Sequence, residues 1–215
     1  MFPTVFVVDD DPDMRDSLLT LLRVLEIPAH GFASAEEFQD YYNQQPGCLV
    51  LDVRLQGKSG IELYSELLQR GKRLPVIFIT AHASINTAVA ALRTGAIDFL
   101  EKPFDREILS DRITRALRID ASWRENEARY KQLDAVMQEL SATDRETLAL
   151  LVQGEPNKVM AAKLLITERA VEMRRQRLMR RLNVDSLAEL LELTITHRVL
   201  AAVRELERDQ SIVAN

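Results

Sequence analysis

The chain has 215 residues, with 28 Lys and Arg against 33 Asp and Glu for a net charge of −5, 47% hydrophobic residues and a single cysteine. This is an ordinary globular composition, neither disordered nor disulfide-built, and long enough for two modest domains that each bury a core. No apolar run approaches the roughly 18–20 residues of a membrane helix, the three histidines are too scattered for a zinc set, and nothing at the N-terminus has the form of an export leader, so a cytoplasmic location away from membranes is expected.

In chain order, short β-branched runs alternate with segments of helical period. Thr4–Val8, Ala29–Phe32, Cys48–Asp52, Val76–Thr80 and Ile97–Leu100 read as strands, nearly all apolar as parallel strands covered on both faces tend to be. Pro12–Leu25, Ala35–Tyr42, Gly60–Gln69 and Ser84–Arg93 read as the helices between them, bounded by Pro12, by Ser34 with Glu37 and by Gly95. Five repeats of strand and helix predict a doubly wound, five-stranded parallel α/β sheet over residues 1–120. From Asp105 a helical pattern runs to residue 139, with Trp123, Tyr130 and Met137 seven apart and Ile119, Leu133 and Leu140 at most of the d-type positions of the same repeat. Residues 121–139 are therefore expected as a helical linker, its stripe serving either a coiled coil or packing on a domain. Ser141 then opens a helix and Gly154 closes it; Lys158–Leu165, Glu168–Leu182 and Ser186–His197 follow, and no strand pattern occurs. Residues 140–200 thus read as a small all-α domain, and 201–215 as a tail in which Thr196–Arg208 forms one more amphipathic helix.

Strands of a parallel doubly wound sheet deliver their C-terminal ends to one edge, where ligands bind. Asp9, Asp10 and Asp11 follow the first strand, Asp52 ends the third, Thr80 ends the fourth and Lys102 follows the fifth. An isolated Asp after a strand is usually a turn or a helix cap, and Asp11 before Pro12 fits that role. Several carboxylates at one edge are different, because they repel unless a cation neutralises them, and an all-oxygen set suits Mg²⁺. A carboxylate nucleophile, a cation, an ammonium and a hydroxyl together suit phosphoryl chemistry.

Val7-Val8-Asp9-Asp10-Asp11, Leu51-Asp52-Val53-Arg54, Ile79-Thr80-Ala81-His82 and Asp98-Phe99-Leu100-Glu101-Lys102-Pro103-Phe104 resemble the signature blocks of a two-component response-regulator receiver domain, a flavodoxin-like fold. The resemblance implies that Asp52 is the phosphoacceptor for a partner histidine kinase. It also implies that Asp10 binds Mg²⁺ directly and Asp9 mainly through water, with the backbone carbonyl of Arg54 as a further ligand. Thr80 would bond the phosphoryl group, Lys102 would pair with it, and Phe99 would be the aromatic switch. The Lys102-Pro103 peptide is expected to be cis. Gln56 stands where most receivers carry Pro.

The charge is uneven: residues 1–120 carry the whole net −5, and 121–215 are neutral. Within the neutral half, Lys158 to Arg181 holds eight basic and two acidic residues, an excess that suits a polyanion. The pattern from Leu140 to about Leu193, including Asp144-Arg145-Glu146, Gly154, Asn157-Lys158, Ile166-Thr167 and Val171-Glu172, resembles the LuxR-type helix-turn-helix of NarL/FixJ regulators. Val171, Leu178 and Leu182 fall on one helix face and read as core. The resemblance implies base reading by Glu172, Met173 and Gln176, and phosphate contact by Lys158, Thr167, Arg169, Arg175, Arg177, Arg180 and Arg181. Ala170 and Arg174 depart from the Thr and His usual there.

The expectation is a phosphorylation-controlled transcription regulator that dimerises through residues 84–104 and binds double-stranded DNA, a signalling phosphoacceptor and not a turnover enzyme. Two alternatives stand beside it: a receiver whose output domain binds protein or RNA, and an Asp-nucleophile phosphatase of the haloacid-dehalogenase type. The phosphatase would need an Asp-x-Asp-x-Thr/Val motif, which neither Asp9-Asp10-Asp11-Pro12-Asp13 nor Asp52-Val53-Arg54 completes.

Overall fold

The computed structural model describes residues 2–82 and 84–213, with side chains through Leu206. They fall into two compact units, one built on the chain up to Glu125 and the other on Asn126–Leu206. In the first, strands β1 (Thr4–Val8), β2 (Ala29–Phe32), β3 (Gly47–Asp52), β4 (Val76–Thr80) and β5 (Asp98–Glu101) alternate with helices α1 (Pro12–Val24), α2 (Ala35–Tyr41), α3 (Gly60–Gln69), α4 (Ile85–Arg93) and α5 (Arg106–Gln138). All neighbouring strands are parallel, in the order β2-β1-β3-β4-β5.

The period-two alternation of the strands divides the core between the two faces of the sheet. Val5, Val7, Cys48, Val50, Ile77 and Ile79 pack against Leu18 and Leu22 of α1 and Leu109, Ile113 and Ala116 of α5. Phe6, Val8, Leu49, Leu51, Val76 and Phe78 meet Phe38 of α2, Leu63, Tyr64 and Leu67 of α3, and Ala91 of α4. Because both faces are covered, β3 and β4 are buried throughout, whereas the edge strands β2 and β5 are only partly covered and accommodate His30, Asp98 and Glu101. The ladder of β5 begins one residue later than the apolar run Ile97–Leu100 suggested.

At the foot of the sheet, opposite its ligand-binding edge, Asp120 of α5 is 2% exposed and accepts bonds from Gly47 N–H (2.9 Å) and Arg124 Nε (2.8 Å). Arg124 in turn donates to the carbonyls of Gln44 and Gln45, at 3.0 and 2.9 Å. Only glycine fits at position 47, since a Cβ there would lie 1.8 Å from the Thr4 carbonyl oxygen. Residues of the α5 stripe have partners within each unit: Trp123 stacks under the Arg73 guanidinium at 3.9 Å in the first, and Tyr130 and Met137 pack in the second, all three partly buried.

The second unit adds α6 (Ala142–Val152), α7 (Asn157–Leu164), α8 (Glu168–Leu182) and, as far as Leu206, α9 (Leu187–Val213) to the end of α5. Its core gathers Leu140, Leu148, Leu151, Met160, Val171, Leu178, Leu182 and Leu190. Ser186–His197 and Thr196–Arg208, read as two segments, are one continuous helix, because no Gly or Pro interrupts residues 187–213. His197 of α9 bonds Asp134 of α5 at 3.0 Å and stacks on Tyr130. The hydrogen bond to His197 is foremost among the interactions that hold the Asp134 carboxyl below its usual range. Among the described residues no helix is long and apolar enough to cross a membrane.

Candidate functional site

Four strand ends bring the predicted pocket residues to one edge of the sheet. Asp9 follows β1 and is fully buried, Asp52 ends β3 at 6% exposure, Thr80 ends β4 at 1%, and Lys102 lies one residue past β5. One carboxylate oxygen from each of Asp9, Asp10 and Asp52 lies within 4.8 Å of the others. Lys102 Nζ bridges two of them, 2.7 Å from Asp9 Oδ2 and touching Asp52 Oδ2. The remaining oxygens are also engaged: Asp52 Oδ1 accepts from Arg54 N–H (2.8 Å) and Asp9 Oδ1 from Asp11 N–H (3.1 Å). Burial raises the Asp9 pKa above its ordinary value, with the Asp52 charge acting the same way and Lys102 opposing. Burial works against the Lys102 ammonium, but the bonds to Asp52 and Asp9 outweigh it and hold its pKa up.

Local sequence fixes each of these positions. Asp11 caps α1, accepting from Asp13 and Met14 N–H, and so turns the chain directly after Asp9 and Asp10. Gly60 opens α3 with its N–H on the Val53 carbonyl (3.0 Å); a Cβ there would lie 2.1 Å from the Asp52 carbonyl oxygen, so glycine lets the helix press against the turn after Asp52. Thr80 Oγ1 accepts from His82 N–H, and its carbonyl accepts from Lys102 N–H at 2.7 Å, which sets Lys102 beside β4. Phe99 lies opposite Phe78 in the ladder and packs, half-buried, on the same core face, which by alternation is also the face of Thr80. The Lys102-Pro103 peptide is cis, as expected.

Three carboxylates with hard oxygen donors in one cluster, two of them buried, fit a small divalent cation. A hydroxyl and an ammonium stand at the same edge of the sheet, Thr80 on the strand next to Asp52 and Lys102 just past the strand beyond it. Such a pocket can make a carboxylate oxygen a nucleophile and neutralise the oxygens of an incoming phosphoryl group.

In the second unit, α8 buries Val171, Leu178 and Leu182 and exposes Glu172, Met173, Gln176, Arg177, Arg180 and Arg181. Thr167 caps it, accepting from Ala170 N–H at 3.2 Å. Thr167 and Arg169 are exposed at its N-terminus, Lys158 is exposed at the start of α7, and Met173 is 65% exposed. The basic residues do not form a uniform set, however. Arg175 Nη1 donates to Asn157 Oδ1 of α7. Arg177 and Arg181 reach back to Asp144, at 3.3 and 2.8 Å. Asp144 is 1% exposed and also forms the capping box of α6 with Ser141, whose hydroxyl bond is foremost among the interactions that hold its pKa low. These two arginines therefore tie α8 to α6, a role not foreseen from sequence; Ser141 marked the start of the helix, but not the partners that Asp144 finds across the fold.

The family model for the response regulator receiver domain matches residues 5–114, and that for bacterial regulatory proteins of the luxR family matches 138–194. Response regulator protein TmoT of Ectopseudomonas mendocina is 35% identical over 191 residues, 88% of this chain and 87% of that protein. Transcriptional regulatory protein FixJ of Bradyrhizobium diazoefficiens is 34% identical over 192 residues, covering 89% and 94%. Among solved structures, that of the response regulator StyR at low resolution aligns over 90% of this chain and 98% of its own, with 40% identity and a TM-score of 0.81. Full-length FixJ from B. japonicum aligns over 92% and 98%, with 33% identity and a TM-score of 0.56.

Proposed function

Because the chain belongs to the response regulators that join a receiver domain to a LuxR-type DNA-binding domain, we propose that Asp52 is the residue whose phosphorylation controls this transcriptional regulator. The observation that carries the reading is the cluster of Asp9, Asp10 and Asp52 with Lys102 bridging two of its members. Asp9, Asp10 and Asp52 with the Arg54 carbonyl would hold Mg²⁺, which supplies charge neutralisation for the phosphoryl oxygens when bound. An Asp52 carboxylate oxygen attacks the phosphorus of a kinase phosphohistidine; the new P–O bond forms as the P–N bond breaks, and the imidazole leaves and takes up a proton. Lys102 turns from the carboxylates to the phosphoryl group, Thr80 bonds it, and Phe99 repacks beside Thr80. The chain is a phosphoacceptor and not a turnover enzyme, acting in the cytoplasm.

The exposed residues of α4, Ile85 at 84%, Val89 at 42% and Leu92 at 52%, support a dimer formed through residues 84–104 after phosphorylation. Such a dimer presents two copies of α8 to inverted half-sites of duplex DNA. Glu172, Met173 and Gln176 read base edges, while Lys158, Thr167, Arg169 and Arg180 meet phosphates. The receiver module spans 1–120, the linker 121–139, the DNA-binding module 140–200 and the tail 201–215.

The test is selection from random duplex DNA by the full-length protein, with and without beryllofluoride and Mg²⁺, alongside Asp52→Ala. Enrichment of a two-fold symmetric site that needs beryllofluoride and vanishes in the variant is expected. Equal enrichment by the variant would overturn the role of Asp52, and no enrichment in any state would overturn the DNA reading.

A further inference from the structure

The backbone carbonyl of Asp9 has a partner that the pocket chemistry does not call for. The β1–β2 ladder extends to Asp9, whose N–H reaches the Phe32 carbonyl at 3.2 Å. In a strand the N–H and C=O of one residue face the same neighbour, so the Asp9 carbonyl also points toward β2. There the ladder has ended, because β2 stops at Phe32 and Ser34 turns away to cap α2. Arg15, from the second turn of α1, supplies the missing donor: its Nη1 lies 2.7 Å from the Asp9 carbonyl oxygen.

The path of this side chain is built into β2. The stem of Arg15 lies over Gly31 beside Leu19, and a Cβ there would come within 2.8 Å of Leu19 Cδ1 and within 3.1 and 3.2 Å of Arg15 Cγ and Cδ. Asp9 is thus held at three oxygens: the carbonyl by Arg15, Oδ1 by Asp11 N–H and Oδ2 by Lys102. Of the three, only the bond to Arg15 uses an oxygen that neither a cation nor a phosphoryl group contends for. It survives when Lys102 turns away, and a guanidinium keeps its charge at any working pH.

We propose that Arg15 is a positioning residue for the acidic pocket: by holding the Asp9 carbonyl it keeps the Asp9–Asp10 turn in the geometry a divalent cation requires, so cation affinity depends on a side chain that touches neither the cation nor the phosphoryl group. This rests on the phosphoacceptor reading of the pocket. Mg²⁺ binding to the full-length chain, measured by isothermal titration calorimetry beside melting curves without Mg²⁺, tests it with Arg15→Gln, Arg15→Lys, Gly31→Ala and Asp10→Asn. Arg15→Gln is expected to weaken Mg²⁺ binding about tenfold, the scale at which groups behind a ligand act. Arg15→Lys, which keeps a donor and the charge, retains most of the affinity, and Gly31→Ala, which displaces the stem, shifts it in the direction of Arg15→Gln. A lowered melting temperature with wild-type affinity in Arg15→Gln would mean that Arg15 merely supports α1, and would overturn the proposal. Should that variant fail to fold, unchanged affinity in Gly31→Ala overturns it instead. If Asp10→Asn also binds Mg²⁺ like the wild type, the pocket reading is wrong and the proposal falls with it.

Discussion

Lys102 Nζ lies 2.7 Å from Asp9 Oδ2, and both groups are shielded, the Asp9 side chain fully and the Lys102 side chain to 10% exposure. The same ammonium also touches Asp52 Oδ2, so one positive charge offsets part of the charge of the three carboxylates Asp9, Asp10 and Asp52. Asp9 nevertheless remains harder to ionise than a free carboxyl, chiefly through burial.

Because its pKa is raised on folding, ionised Asp9 costs the folded state stability at neutral pH. The sign follows from linkage: the folded state binds this proton more tightly, so the contribution is most favourable below the ordinary value of 3.8 and is lost as pH rises through the folded value. Asp9→Asn is therefore expected to raise the melting temperature of the metal-free protein at pH 7. The gain should shrink as the pH is lowered toward 4, because wild-type Asp9 then protonates. Melting curves across pH check this, and an unchanged or lowered melting temperature at pH 7 would refute it.

Gly60→Ala places a Cβ 2.1 Å from the Asp52 carbonyl oxygen, against backbone that has little room to yield. The expected cost is about 1–3 kcal/mol of overpacking, together with slower phosphorylation of Asp52 by acetyl phosphate. Gly57→Ala is the control: φ is +85° but nothing lies within 4 Å, so left-handed strain of about 1–2 kcal/mol should appear without disturbing Asp52 directly. Denaturation midpoints and intact-mass phosphorylation rates separate the two.

Asp144→Ala removes the capping box of α6 and the carboxylate that holds Arg177 and Arg181. Losing a cap and a buried acceptor should destabilise the second unit by about 1–3 kcal/mol. The Asp144 pKa is depressed, so its stabilisation is present above 3.8 and is lost as pH falls through the lower folded value. The variant should accordingly show a flatter fall in stability on the acid side, read from urea midpoints between pH 2 and 6.

The exposed residues around α8 should divide into two classes in binding assays. Lys158→Ala or Arg169→Ala should weaken binding to all sequences alike and reduce the salt slope by about 0.9 for each phosphate that is no longer neutralised. Gln176→Ala or Met173→Ala should relax preference at one base position, by about 1–3 kcal/mol. Arg177→Ala should instead act through folding, because its guanidinium bonds Asp144. Titrations on matched and mismatched duplexes at several salt concentrations distinguish these outcomes.

The strand-helix alternation, the parallel sheet and the residues at its ligand-binding edge were legible in the sequence, because two covered faces force apolar strands and each strand end must deliver Asp9, Asp52, Thr80 or Lys102 to the same side. The helix starts at Asp11, Ser34 and Ser141 were legible too, since capping is an interaction within one turn of helix. Only the tertiary structure decided which polar groups meet across long stretches of chain: Asp120 with Gly47, Arg15 with the Asp9 carbonyl, and Asp144 with Arg177 and Arg181. It also showed which residues the α5 stripe meets within each unit, Arg73 for Trp123 in one and His197 for Tyr130 in the other. Periodicity reports that a face is buried but not what buries it, and a charged side chain shows its partner only once the backbone has brought the two together.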